Sequence, residues 1–134
     1  MTKYYVDTCI WIDCYENRSD NLRPLGEFAF NFFLRLEDED IVYYSKLTLR
    51  ELRKKYSDTI ILSIFDVAKD NLVFLDTFEE DITNSKRLLS SGLVHDSDAI
   101  HIALSRRVGA LLITRDKEIL FSGLVKAFRP EELV

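Results

Sequence analysis

The sequence predicts an α/β protein: a three-layer α/β/α sandwich built on a mainly parallel sheet of four to five strands. Short runs rich in β-branched and aromatic residues alternate with longer runs of helical composition from one end of the chain to the other. That alternation implies parallel strands joined by helical crossovers, with helices covering both faces of the sheet. The 134 residues include only four Gly and two Pro, and no linker, internal repeat or low-complexity tract divides them. Residues 1–134 therefore read as a single domain.

The elements follow in order. Residues 4–7 (YYVD) form a short apolar strand ending on a carboxylate, and a short helix begins at Thr8, a residue able to cap it. A polar break, NRSD at 17–20, precedes a longer helix over 22–36 that carries Phe28, Phe30, Phe32 and Phe33. Its AFNFFL segment is apolar almost all round, which fits either deep burial or cover by another chain. The charged turn EDED leads into a second strand, IVYYS at 41–45. Helices are expected over 47–56 and over 57–68, the latter opened by Ser57 or Asp58, with a third strand, LVFL, at 72–75. A helix over 76–91 is expected to be capped by Asp76 or Thr77, with acids in its first turn, and to end at Gly92. Asp96 or Ser97 opens the next helix, which closes near Gly109. Strand four is ALLIT at 110–114, followed by a helical turn near 117–121 and a fifth strand, VKAF, at 125–128.

Composition narrows the function classes. Apolar residues make up 47% and charged residues 31%, an ordinary globular profile. No run approaches the roughly 18 unbroken apolar residues that would span a bilayer, and Asp7 interrupts the N-terminal apolar run, which argues against a signal peptide. A cytoplasmic protein with no membrane partner is expected. Cys9 and Cys14 are spaced unlike a CxxC pair and read as buried, inert thiols. The net charge of −5 has the wrong sign for gripping nucleic acid by bulk electrostatics. Any such partner needs a local basic patch or bound metal.

In parallel α/β sheets, sites form where strands end and loops begin. Asp7 ends the first strand, and Asp116 lies two residues beyond Thr114 at the end of the fourth. Asp98 sits in the first turn of the helix opened by HDSD, and Glu51 early in the helix after the second strand. Four acids distant in sequence are thus expected at one sheet edge. Like charges so close raise one another's pKa, and a hard divalent cation, Mg²⁺ or Mn²⁺, relieves the conflict with oxygen ligands. Such ions polarise a phosphodiester and activate water. No histidine or cysteine cluster is apparent that would favour zinc.

The segments VDTCIWID, LTLRELRKK, SDAIHIALSRRVGALLITRDKEI and FRPEEL together resemble the PIN-domain family, especially the VapC-type toxins, over essentially the whole chain. Residues 97–119 are the most specific part. The resemblance implies metal-binding, catalytic acids at Asp7, Glu51, Asp98 and Asp116, with Thr114 as the hydroxyl of a T-x-D motif and Glu118 as an auxiliary acid. It further implies Mg²⁺- or Mn²⁺-dependent hydrolysis of RNA by a metal-activated water, a homodimer, and an antitoxin protein as partner.

Each acid also has a plainer role. Asp7 and Asp116 suit helix caps, Asp98 suits a helix first turn, and Glu51 suits a surface pair with Lys54 or Lys55. Between Asp96 and Asp98, the metal role goes to Asp98 and the cap to Asp96. His101, three residues beyond Asp98, reads as a hydrogen-bonded structural histidine, and Asp13 as a solvent-facing residue outside the site. Arg115, between Thr114 and Asp116, is placed to hold a phosphate, whereas the remaining basic runs read as solvated helix faces. Other readings of the chain are a PIN-like module that binds RNA or protein without cutting, an RNA-processing nuclease unconnected with toxins, and a receiver-type phosphoacceptor. The last fits poorly, since only Asp7 closes the first strand.

Overall fold

The computed structural model describes residues 1–134. Five parallel strands form one sheet: β1 (Lys3–Val6), β2 (Ile41–Ser45), β3 (Leu72–Leu75), β4 (Leu111–Ile113) and β5 (Ala127–Phe128), in the order β3-β2-β1-β4-β5. The helices are α1 (Thr8–Glu16), α2 (Leu25–Leu34), α3 (Lys46–Arg53), α4 (Asp58–Phe65), α5 (Glu79–Leu89), α6 (Asp96–Val108) and α7 (Lys117–Ser122). Short 3-10 turns follow α4 and β5, at Asp66–Ala68 and Pro130–Leu133.

Successive strand residues face opposite sides of the sheet, so each buried strand feeds two cores. Val6, Val42 and Ile113 pack with Trp11, Phe32, Phe33, Ile61 and Phe65 from α1, α2 and α4. Tyr5, Tyr43 and Leu112 pack on the other side with Leu88, Ile102 and Leu104 from α5 and α6. These are the three layers. Crossovers from β1 and β2 cover the first face, and the chain then reverses so that β4 pairs with the far side of β1. The switch point lies between β1 and β4, where ligand crevices form in such sheets.

Several predicted details shift. Asp7, not Thr8, caps α1, its carboxylate accepting the Thr8 N–H at 2.8 Å. The second helix begins at Leu25, after Pro24, because an Asp20–Arg23 turn occupies its expected start. The cap of α5 is Phe78 rather than Asp76 or Thr77; the buried Asp81 carboxylate reaches back to the Phe78 N–H and is itself held by Arg107. Helix α6 is entered from His95, so Asp96 is its first helical residue and not its cap. The last two strands are shorter than their apolar runs, since only residues paired across the sheet adopt the ladder. On α2, Ala29, Phe32 and Phe33 are buried while Phe30 and Leu34 stay exposed, so the all-round apolar helix is core on one side only. No helix is long and apolar enough to cross a membrane.

One glycine is fixed by close approach. At Gly26, in the first turn of α2, an added Cβ would lie 2.5 Å from the Asn17 Cα at the end of α1. Asn17 holds a left-handed backbone and cannot retreat without breaking the α1 cap. Gly26→Ala is expected to cost about 1–3 kcal/mol through a forced shift of α2 against α1. Denaturant unfolding, with the slope unchanged, measures it.

Candidate metal centre and active site

The ends of β1 and β4 bring Asp7 and Thr114 side by side. The Asp7 backbone N–H donates to the Ile113 carbonyl at 2.9 Å, and the Thr114 hydroxyl donates to Asp7 Oδ2 at 2.7 Å. Thr114 Oγ also accepts the Asp116 N–H at 3.0 Å, fixing the turn that presents Asp116. Asp116 caps α7 by accepting the Glu118 N–H at 2.8 Å. Glu51 reaches the same place from the second turn of α3, and Asp98 from the first turn of α6. All four predicted acids line one open cleft of about 530 Å³, together with Thr8, Arg18, Lys54 and Arg115.

Glu51 is not paired with Lys54 or Lys55. Its Oε1 accepts hydrogen bonds from the Thr8 hydroxyl at 2.8 Å and faces His101 Nε2 at 2.9 Å. His101 is buried, and its Nδ1 lies 2.6 Å from the Tyr5 hydroxyl, which in turn lies 2.7 Å from Ser45 Oγ. The expectation of a hydrogen-bonded histidine holds, and the partner is one of the four cleft acids. Burial alone would lower the His101 pKa. The hydrogen bond to Glu51 and the charges of Asp7, Glu51 and Asp98 outweigh it and raise the pKa above the usual value. For Glu51, burial pushes upward, but the His101 and Thr8 hydrogen bonds and the Lys54 charge hold its carboxyl below the usual range.

Asp98 is different. Neither of its oxygens accepts an N–H or hydroxyl hydrogen bond; burial, then the charges of Asp116 and Asp7, push its pKa up to about 6. Ligand atoms of Asp7, Glu51 and His101 lie within 4.8 Å of one another, as do those of His95, Asp98 and Glu118. The donor set is dominated by carboxylate oxygen, which fits a hard divalent ion. The fold carries one histidine into each group. His101 has both ring nitrogens engaged, and His95 Nδ1 is 2.7 Å from Glu118. Asp96 is exposed and touches none of these groups.

Two predicted roles need correction. Asp13 is 4% exposed, not solvent-facing, and its carboxylate lies 3.3 Å from Arg115 Nε and 3.9 Å from Arg18. Arg115 donates through Nη1 and Nη2 to both oxygens of Glu131, at 3.0 and 2.8 Å. Its charge is thus spent on two acids, and it staples the C-terminal turn to α1 rather than standing free for a phosphate. The spacing of Asp13 to Arg115 and Glu131 across the chain carries no local signal. Thr8 and Tyr5 were the other omissions; only the hydroxyl next to Asp7 hinted at Thr8. Burial lifts the Cys9 thiol well above its usual pKa and Cys14 to about 11, consistent with inert cysteines.

Residues 4–123 match the family model of the PIN domain. The chain belongs to the PIN-domain family. PIN domains are nucleases of the hydrolase class, generally dependent on divalent metal. No curated protein sequence matches this PIN domain. Among solved structures it is similar to VapBC2 of Rickettsia felis bound to a promoter DNA fragment (TM-score 0.71, 15% identity, covering 96% of this chain and 98% of that one). It is likewise similar to a toxin–antitoxin complex of Klebsiella pneumoniae (TM-score 0.70, 20% identity, 95% and 97% covered). A third likeness is to FitAcB of Neisseria gonorrhoeae (TM-score 0.63, 17% identity, 95% and 97% covered). At these identities the likeness shows the fold.

The raised pKa of Asp98 has a consequence for stability. Its folded value, about 6, lies above the unfolded value of about 4, so its contribution favours folding at low pH and is lost as pH rises through that window. Metal-free Asp98→Asn protein should therefore melt higher than the parent above pH about 6, with the gap closing in acid. Carboxyl carbon NMR should find Asp98 titrating near 6 and shifted down by Asp116→Asn.

Proposed function

We propose that this PIN domain is a divalent-metal-dependent endoribonuclease and the toxin component of a toxin–antitoxin pair. The observation that carries the reading is the convergence of Asp7, Glu51, Asp98 and Asp116 on one cleft, within a chain that belongs to a nuclease family. The toxin–antitoxin complexes among its structural likenesses support an antitoxin partner, and a homodimer is the assembly this reading expects.

The four carboxylates would hold Mg²⁺ or Mn²⁺, with Glu118 as an auxiliary acid. A bound ion of this kind polarises a phosphodiester and lowers the pKa of water. The chain's own residues set the geometry. The Thr8 N–H and the Thr114 hydroxyl fix the Asp7 carboxylate, one on each oxygen, at the cleft it lines. Thr8 Oγ and His101 hold Glu51 Oε1, so that Oε2 is left for a ligand. Asp98, pushed up to about 6 by burial and then by the charges of Asp116 and Asp7, would be held in its ionised form by a bound cation. Asp116 keeps one oxygen on the α7 cap and offers the other.

The test is incubation of the purified protein with single-stranded and structured RNA, with Mn²⁺ or with EDTA, beside Asp7→Asn. Asp7→Asn should lower the cleavage rate at least about 100-fold, and EDTA should abolish cleavage. Cleavage that survives both, or RNA binding by the metal-loaded parent without any cleavage, overturns the proposal.

A further inference from the structure

We infer that one stripe of helix α3, formed by Lys46, Arg50 and Lys54, is the track that brings the backbone of single-stranded RNA into the carboxylate cleft. The inference rests on the ribonuclease reading above. A chain of net charge −5 cannot attract RNA by its overall field, and the cleft itself is acidic, so attraction must come from a local patch. Near the cleft, most cations are already committed. Arg115 is spent on Asp13 and Glu131, Arg18 on Glu16, Lys55 on Glu16, and Arg53 on Asp58.

Three cations on α3 are not. Lys46, Arg50 and Lys54 are exposed, and none has a carboxylate within ion-pair distance. They fall at i, i+4 and i+8, since Lys54, just past the last helical residue, keeps right-handed helical angles (φ −65°, ψ −24°). At that spacing they stand in one row, rising about 6 Å per step, so the row extends about 12 Å. The order of this step matches the separation of successive phosphates along an extended strand. The opposite side of α3 is anchored by buried Thr48 and Leu52, which holds the row facing outward.

The row also has an end. Lys54 lines the same cleft as the four acids, one turn beyond Glu51 on the same helix. Arg50 is the immediate chain neighbour of Glu51. A strand lying on the stripe is therefore carried past Lys54 to the carboxylates, and rigid attachment of the track and one site acid to a single helix fixes their register. Phosphate contacts of this sort position a strand without reading its bases, so the stripe sets where RNA lies and not which sequence is cut.

The experiment measures binding of a fluorescent single-stranded RNA of about 12 nucleotides to Asp7→Asn protein in Mn²⁺ over a series of salt concentrations. Against that parent stand Lys46→Gln/Arg50→Gln/Lys54→Gln and the charge-keeping Lys46→Arg/Arg50→Lys/Lys54→Arg. The neutral triple variant is expected to bind about 10- to 100-fold more weakly, with the salt slope reduced by about two to three. The charge-keeping variant should retain both values, and all three proteins should melt alike. Unchanged affinity and slope in the neutral variant overturn the stripe while leaving the nuclease reading intact. A neutral variant that loses self-association but still binds RNA normally assigns the row to a second copy of the chain and overturns it too. Failure of the unmutated protein to cleave RNA, with the slope change still seen, counts against the nuclease reading alone.

Discussion

Everything at the cleft depends on how the fold tolerates four carboxylates at one edge of a parallel sheet. Each of them repels the others, and the chain offsets part of that repulsion from within. Asp7 takes the Thr8 N–H and the Thr114 hydroxyl; Glu51 takes Thr8 Oγ and His101; Asp116 takes the Glu118 N–H. The N-termini of α1, α6 and α7 point at the same edge, and their partial positive charge adds to the offset. Asp98 alone receives no such donor, and burial, then the charges of Asp116 and Asp7, push its pKa up to about 6. That raised pKa is a cost borne by the fold once Asp98 ionises.

The second requirement is that these donors stay where they are. Thr48, Ser45, Tyr5, His101 and Glu51 form a chain of polar contacts that starts and ends on α3 and passes through β2, β1 and α6. Tyr5 is buried and lies two residues before Asp7, so both side chains face the α6 side of the sheet. In that low-dielectric setting an unpaired hydroxyl or imidazole is costly, so each group along these contacts enforces the position of the next. Glu51 thus depends on residues in three layers. The stapling of Arg115 to Asp13 and Glu131 does the same for the opposite wall.

Much of this was legible in the sequence. Alternating apolar runs implied the parallel sheet and its three layers, because fully buried strands leave continuous apolar stretches and crossover helices leave amphipathic ones. The meeting of Asp7, Asp98, Asp116 and Glu51 followed from where strands end. What stayed hidden were pairings with no local periodicity. The Asp13–Arg115–Glu131 cluster joins α1, the loop after β4 and the C-terminal turn, and nothing in the spacing of those residues announces it. Likewise, Asp81 looked like one of three acids in a helix first turn, whereas it is fully buried and serves both the α5 cap and Arg107. Charge counts cannot distinguish such an acid from its exposed neighbours Glu79 and Glu80.

The opposition between cap and site dissolves for Asp7 and Asp116. Each is the N-cap of its helix, and each lines the cleft. A carboxylate offers about four lone-pair positions, and a backbone cap uses one. At the C-terminal end of a parallel strand the next element is a helix entering at its N-terminus, so a cap residue there faces the crevice by construction. Capping also fixes the rotamer, which spares a ligand the entropy of ordering it. A strand-end acid in such a sheet can therefore cap its helix and face the crevice at once.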